Sequence, residues 1–186
     1  VGFSHFREPS ILRCCSAALC NLAAVNDNIE KMVSDGVLGA LSRMLLSGTP
    51  EVTSLCSGAL ATIAYDHASH EELVKQGLLC SVVKACIDKN CDANTRQACC
   101  SVLASLSFFP QSRIPMRDLG VIPGFMTPEF MQIARADEAG TGRRCATVLC
   151  NLACETVLRK EMVDSGVVSV MDDLSNTYSE NTLQDC

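Results

Sequence analysis

Tryptophan is absent from the 186-residue chain, and aromatic residues make up only 4% of it. Leu, Ala, Val and Cys must fill the core instead, which favours close helix-on-helix packing over a sheet sandwich. No apolar run reaches the roughly 18 residues that a membrane span needs, and no secretory signal is visible. Basic residues are also scarce, since 15 Lys and Arg stand against 21 Asp and Glu. The sequence therefore lacks the positive charge typical of nucleic-acid-binding surfaces.

The thirteen cysteines do not indicate a secreted disulfide scaffold, because their number is odd and they form no short-loop framework. We therefore expect a reducing compartment, the cytoplasm or alternatively the nucleus. Cys150 and Cys154 share a face of one predicted helix with Cys145 nearby, and His67 and His70 lie in a polar turn. Zinc sites use paired ligands with four in reach. We interpret the cysteines as small core residues and the histidines as part of a solvated turn, and we expect no metal and no cofactor.

The strongest signal is an internal repeat, which is typical of stacked helical architectures. Four segments align on one polar anchor column, with spacings of 41, 43 and 46 residues. The columns are the anchor (Asn21, Thr62, Ser105, Asn151), a Cys six residues before it (Cys15, Cys56, Cys99, Cys145), a Leu two before it (Leu19, Leu60, Leu103, Leu149) and a Gly fifteen after it (Gly36, Gly77, Gly120, Gly166). Apolar steps of three and four predict a long helix with one buried face. The Gly allows a steep turn between two shorter helices.

Each repeat is therefore predicted to hold a short, a medium and a long helix. Thr49 and Pro50 have the form of a cap followed by a proline at the first helical position, and Asp92 ends a similar breaker. Ser69 and Glu72 have the spacing of a capping box. We expect one domain over residues 1–186, part of a longer chain or complex. Its predicted parts are the last helix of a preceding repeat (10–24), three complete repeats (25–66, 67–109 and 110–155) and a partial repeat (156–186).

This unit resembles the armadillo repeat, on its length, its Gly between helices one and two, the AALCNLA motif at Ala17–Ala23 and the Val121-Ile122-Pro123 start of helix two. The resemblance implies an all-α fold, a right-handed α-solenoid of stacked three-helix repeats whose third helices line a concave groove. Importin-α-like adaptors carry Trp four residues before the helix-three Asn. Here that column is Ala17, Gly58, Ser101 and Thr147. The resemblance therefore does not extend to import-signal binding by that mechanism.

The resemblance places partner binding on helix three, where steps of four from the anchor stay on one face. The predicted lining is Arg13, Ala17, Asn21 and Val25, then Ser54, Gly58, Thr62 and Asp66, then Gln97, Ser101, Ser105 and Phe109, and finally Arg143, Thr147, Asn151 and Glu155. Such a face suits an extended peptide, at about 1 kcal/mol net per hydrogen bond. The alternative is that Asn21 and Asn151 tie neighbouring repeats together. Binding predicts that Asn151→Ala weakens partner affinity alone, whereas a tie predicts a loss of stability too.

We expect an interaction scaffold or adaptor for a protein or peptide partner, and not an enzyme, because no nucleophile motif or phosphate-binding loop is present. Two alternatives stay open: a structural component of a large cytoskeletal or ciliary assembly, and a regulatory module of a larger multidomain protein. From Thr156 to Cys186, two basic residues stand against six acidic ones. This flank is either simply solvated or attracts a basic partner. Residues 126–142 are predicted to be a lengthened loop between helices two and three, either plain length variation or a partner contact.

Overall fold

The computed structural model describes residues 9–136 and 140–184, and every regular element among them is helical. None of these helices is both long and apolar enough to cross a membrane. Short 3-10 turns at Asn26–Asn28, His67–Ser69 and Thr156–Leu158 lead into three of the helices. The helices are α1 (Pro9–Ala23), α2 (Ile29–Ser34), α3 (Val37–Ser47), α4 (Pro50–Ala64), α5 (His70–Lys75), α6 (Leu78–Ile87), α7 (Ala93–Ser107), α8 (Pro110–Asp118), α9 (Val121–Phe125), α10 (Pro128–Ala136), α11 (Thr141–Ala153), α12 (Arg159–Asp164) and α13 (Val167–Gln184).

The long helices α1, α4, α7 and α11 pack side by side in that order. Arg13 near the start of α1 forms an ion pair of 3.6 Å with Glu51 near the start of α4. Asn151 in the last turn of α11 donates a hydrogen bond of 2.8 Å to Ser107 in the last turn of α7. The N-terminal ends of α1 and α4 are therefore adjacent, as are the C-terminal ends of α7 and α11. The helices of each pair thus run in the same direction. The anchor residues consequently fall in a row across the stack.

The glycine column confirms the predicted turn between the first and second helices. Gly36, Gly77, Gly120 and Gly166 have φ angles of 79°, 73°, 84° and 82°, in the left-handed region. Each stands directly before α3, α6, α9 or α13. A side chain at φ near +79° would be strained, which explains why one residue type holds this column.

The cysteine column lies in the core in three of its four copies. Cys56, Cys99 and Cys145 are fully buried, as small apolar residues between packed helices. Cys15 is exposed, so the core interpretation is wrong at that position. Cys56 on α4 faces α1, where its Sγ donates to Ser16 Oγ at 3.5 Å. Within the described residues no long helix precedes α1, so the corresponding face of α1, which carries Cys15, is exposed.

The predicted helix starts are correct in position and only partly correct in mechanism. Asp92 caps α7, because its Oδ1 accepts from the Thr95 amide at 3.0 Å. Pro50 begins α4, although Thr49 makes no side-chain cap. The capping box at Ser69 is wrong, since Ser69 Oγ donates to Asp66 Oδ2 at 2.6 Å. A 3-10 turn precedes α5, so the residue that satisfies the exposed amides stands three positions earlier than the box requires.

Arg96 closes the end of α6 from inside the fold. Its guanidinium is buried and donates to the carbonyls of Cys86 at 2.8 Å and Asp88 at 2.9 Å. It also lies 5.5 Å from the centre of the Phe130 ring on α10. The last carbonyls of a helix lack intrahelical donors, and here a charged donor from the neighbouring helix supplies them.

The predicted loop over residues 126–142 is wrong, because α10 (Pro128–Ala136) occupies most of it. Phe130 is buried and stacks on Phe125 with ring centroids 4.6 Å apart. The extra length of this repeat is thus accommodated by a second short helix after α9, whose apolar face packs on the core. Residues 137–139 lie outside the described part of the chain.

Candidate interaction surface

The predicted groove residues form what we call the third-helix row, which crosses α1, α4, α7 and α11. Most of its members reach solvent. Arg13, Asn21, Val25 and Arg143 are exposed, whereas Ala17, Ser54, Gly58, Thr62, Asp66, Gln97, Phe109, Thr147, Asn151 and Glu155 are partly exposed and Ser101 and Ser105 are buried. The row therefore exposes small polar groups along most of its length. At α7 its exposed surface is smaller, because Ser101 and Ser105 are buried.

The hydroxyl groups of the row already donate to their own helices. Thr62 donates to the Gly58 carbonyl at 3.1 Å, and Ser101 donates to the Gln97 carbonyl at 2.9 Å. Thr147, the equivalent of Ser101 in the next repeat, donates to the Arg143 carbonyl at 3.0 Å. A hydroxyl that donates keeps its lone pairs. The partly exposed hydroxyls of Thr62 and Thr147 can therefore accept hydrogen bonds from the N–H groups of a partner.

Gly58 marks an open position in the middle of the row. A Cβ atom built on Gly58 would meet no heavy atom within 4 Å. At Gly124, by contrast, a Cβ atom would lie 2.6 Å from the Ile87 side chain. Gly58 is thus not required by packing, and its missing side chain leaves room above α4.

The two anchor asparagines have different environments. Asn21 is exposed. Asn151 donates to Ser107 on the preceding long helix, and Ser107 Oγ in turn donates to the Ala104 carbonyl at 2.7 Å. The tie between neighbouring repeats is therefore present at Asn151.

A further column was missed by sequence reasoning. Eight residues after the anchor, His70 donates from Nε2 to the Ala64 carbonyl at 2.8 Å. The equivalent Arg113 and Arg159 donate from Nε to the carbonyls at the ends of α7 and α11, both at 2.9 Å. His70 is buried, so its interpretation as a solvated turn residue is wrong, whereas His67 is exposed. The only signal was a shared ability to donate, which a comparison of residue types does not reveal.

A cleft of about 830 Å³ opens beside the row, between α2 and α5 with their 3-10 turns. Thr62 belongs both to the row and to this cleft. Its wall includes Tyr65, whose side chain is strongly exposed. Four carboxylate residues also line it, namely Asp27, Glu30, Asp66 and Glu72. We call this feature the acidic cleft.

Several buried cysteines of the described residues hold neutral thiols. Burial raises the pKa of the Cys99 and Cys145 thiols well above the ordinary value, which keeps them neutral and unreactive. A hydrogen bond to Cys100 at 3.5 Å, together with burial, raises the pKa of Cys86 in the same way. Over 9–136 and 140–184, no group of three or more His, Cys, Asp or Glu residues is arranged to hold a metal ion.

Two solved structures with a similar fold are engineered proteins. One, a crystal structure from the Northeast Structural Genomics Consortium, aligns with a TM-score of 0.63 over 91% of this chain and 86% of its own, at 18% identity. A second engineered protein from the same consortium aligns with a TM-score of 0.64 over 95% and 89% of the two chains, also at 18% identity. No protein-family model and no curated protein matches the sequence. These likenesses establish an all-helical fold of this kind and carry no information on function.

Proposed function

We propose that the chain is a right-handed α-solenoid of armadillo-type repeats that binds a protein or peptide partner along the third-helix row. The glycine turns, the short, medium and long helices of the first two complete repeats (α2–α3–α4 and α5–α6–α7), and the side-by-side packing of α1, α4, α7 and α11 support the repeat assignment. The chain is then a scaffold or adaptor in the reducing environment of the cytoplasm or nucleus. There, exposed thiols such as Cys150 and Cys154 stay unpaired.

The observation that carries this proposal is the open, polar character of the row. Helix faces that pack in a core are filled with large apolar side chains, as at Leu60 and Ile63 of α4, which are fully buried. The neighbouring face of the same helix holds Gly58 and Thr62, with free volume above the glycine. A shallow face with unused acceptors suits an extended segment that brings its own N–H donors.

The test is to fill the row with a bulky side chain. Gly58→Trp adds an indole above α4, at a position where no atom lies within 4 Å of the added Cβ. Gly39→Trp on α3 is the matched control, because its Cβ would meet only the end of the Arg43 side chain at 3.4 Å. Both variants replace a helical glycine, so helix propensity changes equally.

The assay is affinity capture from cell extract with quantitative mass spectrometry, followed by binding measurements on each captured partner. We expect partners bound by the natural chain and by Gly39→Trp to be lost from Gly58→Trp. Equal capture by both variants would rule out binding along the row. Recovery of the chain only with intact filaments, irrespective of Gly58, would favour a structural role in an assembly.

A further inference from the structure

The junctions between successive repeats share two pairs of facing positions. The first member of each pair lies eight or twelve residues after one anchor, and the second member lies four or ten residues after the next anchor. At the last junction the first pair is Arg113 with Glu155, joined Nη1 to Oε1 at 2.9 Å. The second pair is Arg117 with Glu161, joined Nη1 to Oε2 at 3.4 Å. Two arginine–glutamate ion pairs thus join the two sides of this junction.

The middle junction has no Lys, Arg, Asp or Glu at the four equivalent positions. The equivalent positions hold His70 facing Phe109, with ring centroids 6.2 Å apart, and Val74 on the same helix as His70. The carboxylates of the last junction are replaced here by Phe109 and Pro115. The middle junction therefore lacks both the arginines and the carboxylates of the last junction.

The first junction retains the carboxylates and lacks the cations. Asp66 and Glu72 stand where Glu155 and Glu161 stand at the last junction. The arginine positions are taken by Ile29 and Val33, which are 3% and 7% exposed. All four of these residues line the acidic cleft of about 830 Å³.

Among the residues that line the acidic cleft, four are Asp or Glu and none is Lys or Arg. The two lysines on the helices beside it form ion pairs with carboxylates outside the cleft, Lys31 with Asp35 at 2.6 Å and Lys75 with Glu71 at 2.7 Å, although Lys75 also attracts Glu72 electrostatically. Among the ion pairs of residues 9–136 and 140–184, none uses Glu30 or a carboxylate that lines the cleft. The cleft thus holds an excess of negative charge above an apolar floor.

The shape and chemistry of the cleft match an arginine side chain. A guanidinium binds carboxylates through planar pairs of donors, and its aliphatic stem packs on apolar surface. Ile29 and Val33 supply the apolar floor, and the exposed ring of Tyr65 supplies a face for a cation. Arg113 and Arg117 show the same chemistry in the same place two junctions later.

We propose that the acidic cleft binds a basic partner segment whose arginine side chains take the places that Arg113 and Arg117 fill at the last junction. This inference rests on the proposed scaffold function and specifies the charge of the partner. Because Arg113 and Arg117 are four residues apart on α8, a helical segment with two arginines at that spacing fits the cleft.

The experiment titrates the isotope-labelled chain with a 12-residue alanine-rich helical peptide that carries two arginines four positions apart. Amide shifts locate binding and give its affinity. A twin peptide with citrulline at both positions has nearly the same shape without the charge. We expect the arginine peptide to bind about tenfold more tightly than its twin, which corresponds to about 1.4 kcal/mol. The shifts should fall on residues 26–34 and 62–72.

The cleft variant is Glu30→Gln with Glu72→Gln, and the control is Glu129→Gln with Asp164→Asn, two exposed acidic residues outside the cleft. Both variants remove the same net charge. The cleft variant should lose about tenfold in affinity for the arginine peptide, and the control should retain it. Equal binding of the two peptides, including no binding of either, or equal behaviour of the two variants would overturn the inference. Partner capture that is abolished by Gly58→Trp and unaffected by the cleft variant would support the scaffold function and contradict a cation-binding role for the acidic cleft.

Discussion

Gly58→Ala should stabilise the fold, although it fills part of the proposed binding surface. Ala is more favourable than Gly in a helix interior by about 0.8–1.0 kcal/mol. The added Cβ meets no heavy atom within 4 Å at this position, so neither a packing gain nor a clash changes that value. The free energy of unfolding should therefore rise by about 1 kcal/mol, which for a chain of this length raises the melting temperature by about 2–4 °C.

Gly36→Ala is the matched substitution with the opposite sign. Gly36 has a φ of 79°, where an L side chain costs about 1–2 kcal/mol. The restriction of the unfolded chain by Ala returns about 0.4–1 kcal/mol, so a net loss of about 1 kcal/mol is expected. No atom lies within 4 Å of a Cβ at Gly36 either, so the contrast isolates the backbone.

Urea unfolding followed by circular dichroism measures both changes on the same scale. The difference between the two variants should be about 2 kcal/mol, the sum of the two effects. Destabilisation by Gly58→Ala would show that the space above α4 is occupied, and the open row would then be refuted. Equal effects of the two substitutions would contradict the left-handed turn at Gly36.

The remaining predictions concern side chains with identified partners. Arg96→Ala should lower the free energy of unfolding by about 3 kcal/mol, since carbonyls at the end of α6 lose a buried charged donor; a loss under about 1 kcal/mol in urea unfolding would contradict this. Asn151→Ala should cost about 1 kcal/mol through the lost bond to Ser107, and an unchanged melting temperature would argue against the tie. Arg113→Ile with Arg117→Val should turn the last junction into a second cation-binding subsite, detected as new amide shifts in α11 and α12 when the arginine peptide is added. Shifts confined to the first junction would contradict this prediction. Alkylation of the native chain, read by mass spectrometry, should label the exposed thiols first (Cys14, Cys15, Cys150, Cys154) and the buried ones only after unfolding (Cys56, Cys86, Cys99, Cys100, Cys145), and equal labelling would contradict the burial.

The parts of the fold that the sequence predicts are those where packing or backbone geometry admits one kind of residue. A left-handed turn requires glycine, so Gly36 and its equivalents form a visible column. A fully buried slot between two helices requires a small apolar group, which keeps Cys56, Cys99 and Cys145 in register. Repetition makes such constraints readable without knowledge of contacts.

The parts that sequence reasoning missed depend on functions that several residue types share. His70, Arg113 and Arg159 all donate to the end of the preceding long helix, yet no single letter marks their column. The extra helix α10 was hidden because its length departs from the repeat. The exposure of Cys15 was not predicted because it depends on whether a long helix packs against that face, and none precedes α1 in the described residues.

The acidic cleft was invisible for a further reason, since it appears only when facing positions of adjacent repeats are compared as pairs. The carboxylates of the first junction differ in what the fold requires of them. Asp66 holds its own turn, accepting from the Ala68 amide at 3.3 Å and from Ser69 at 2.6 Å. Glu72 accepts only from the Gln76 side chain on the same face of the helix, at 2.7 Å, an interaction that a neutral Gln could replace. The charge of Glu72 also attracts Lys75 on the same helix, an exposed interaction that contributes little to stability, so neutralisation of Glu72 should separate recognition of a cation from stability of the repeat.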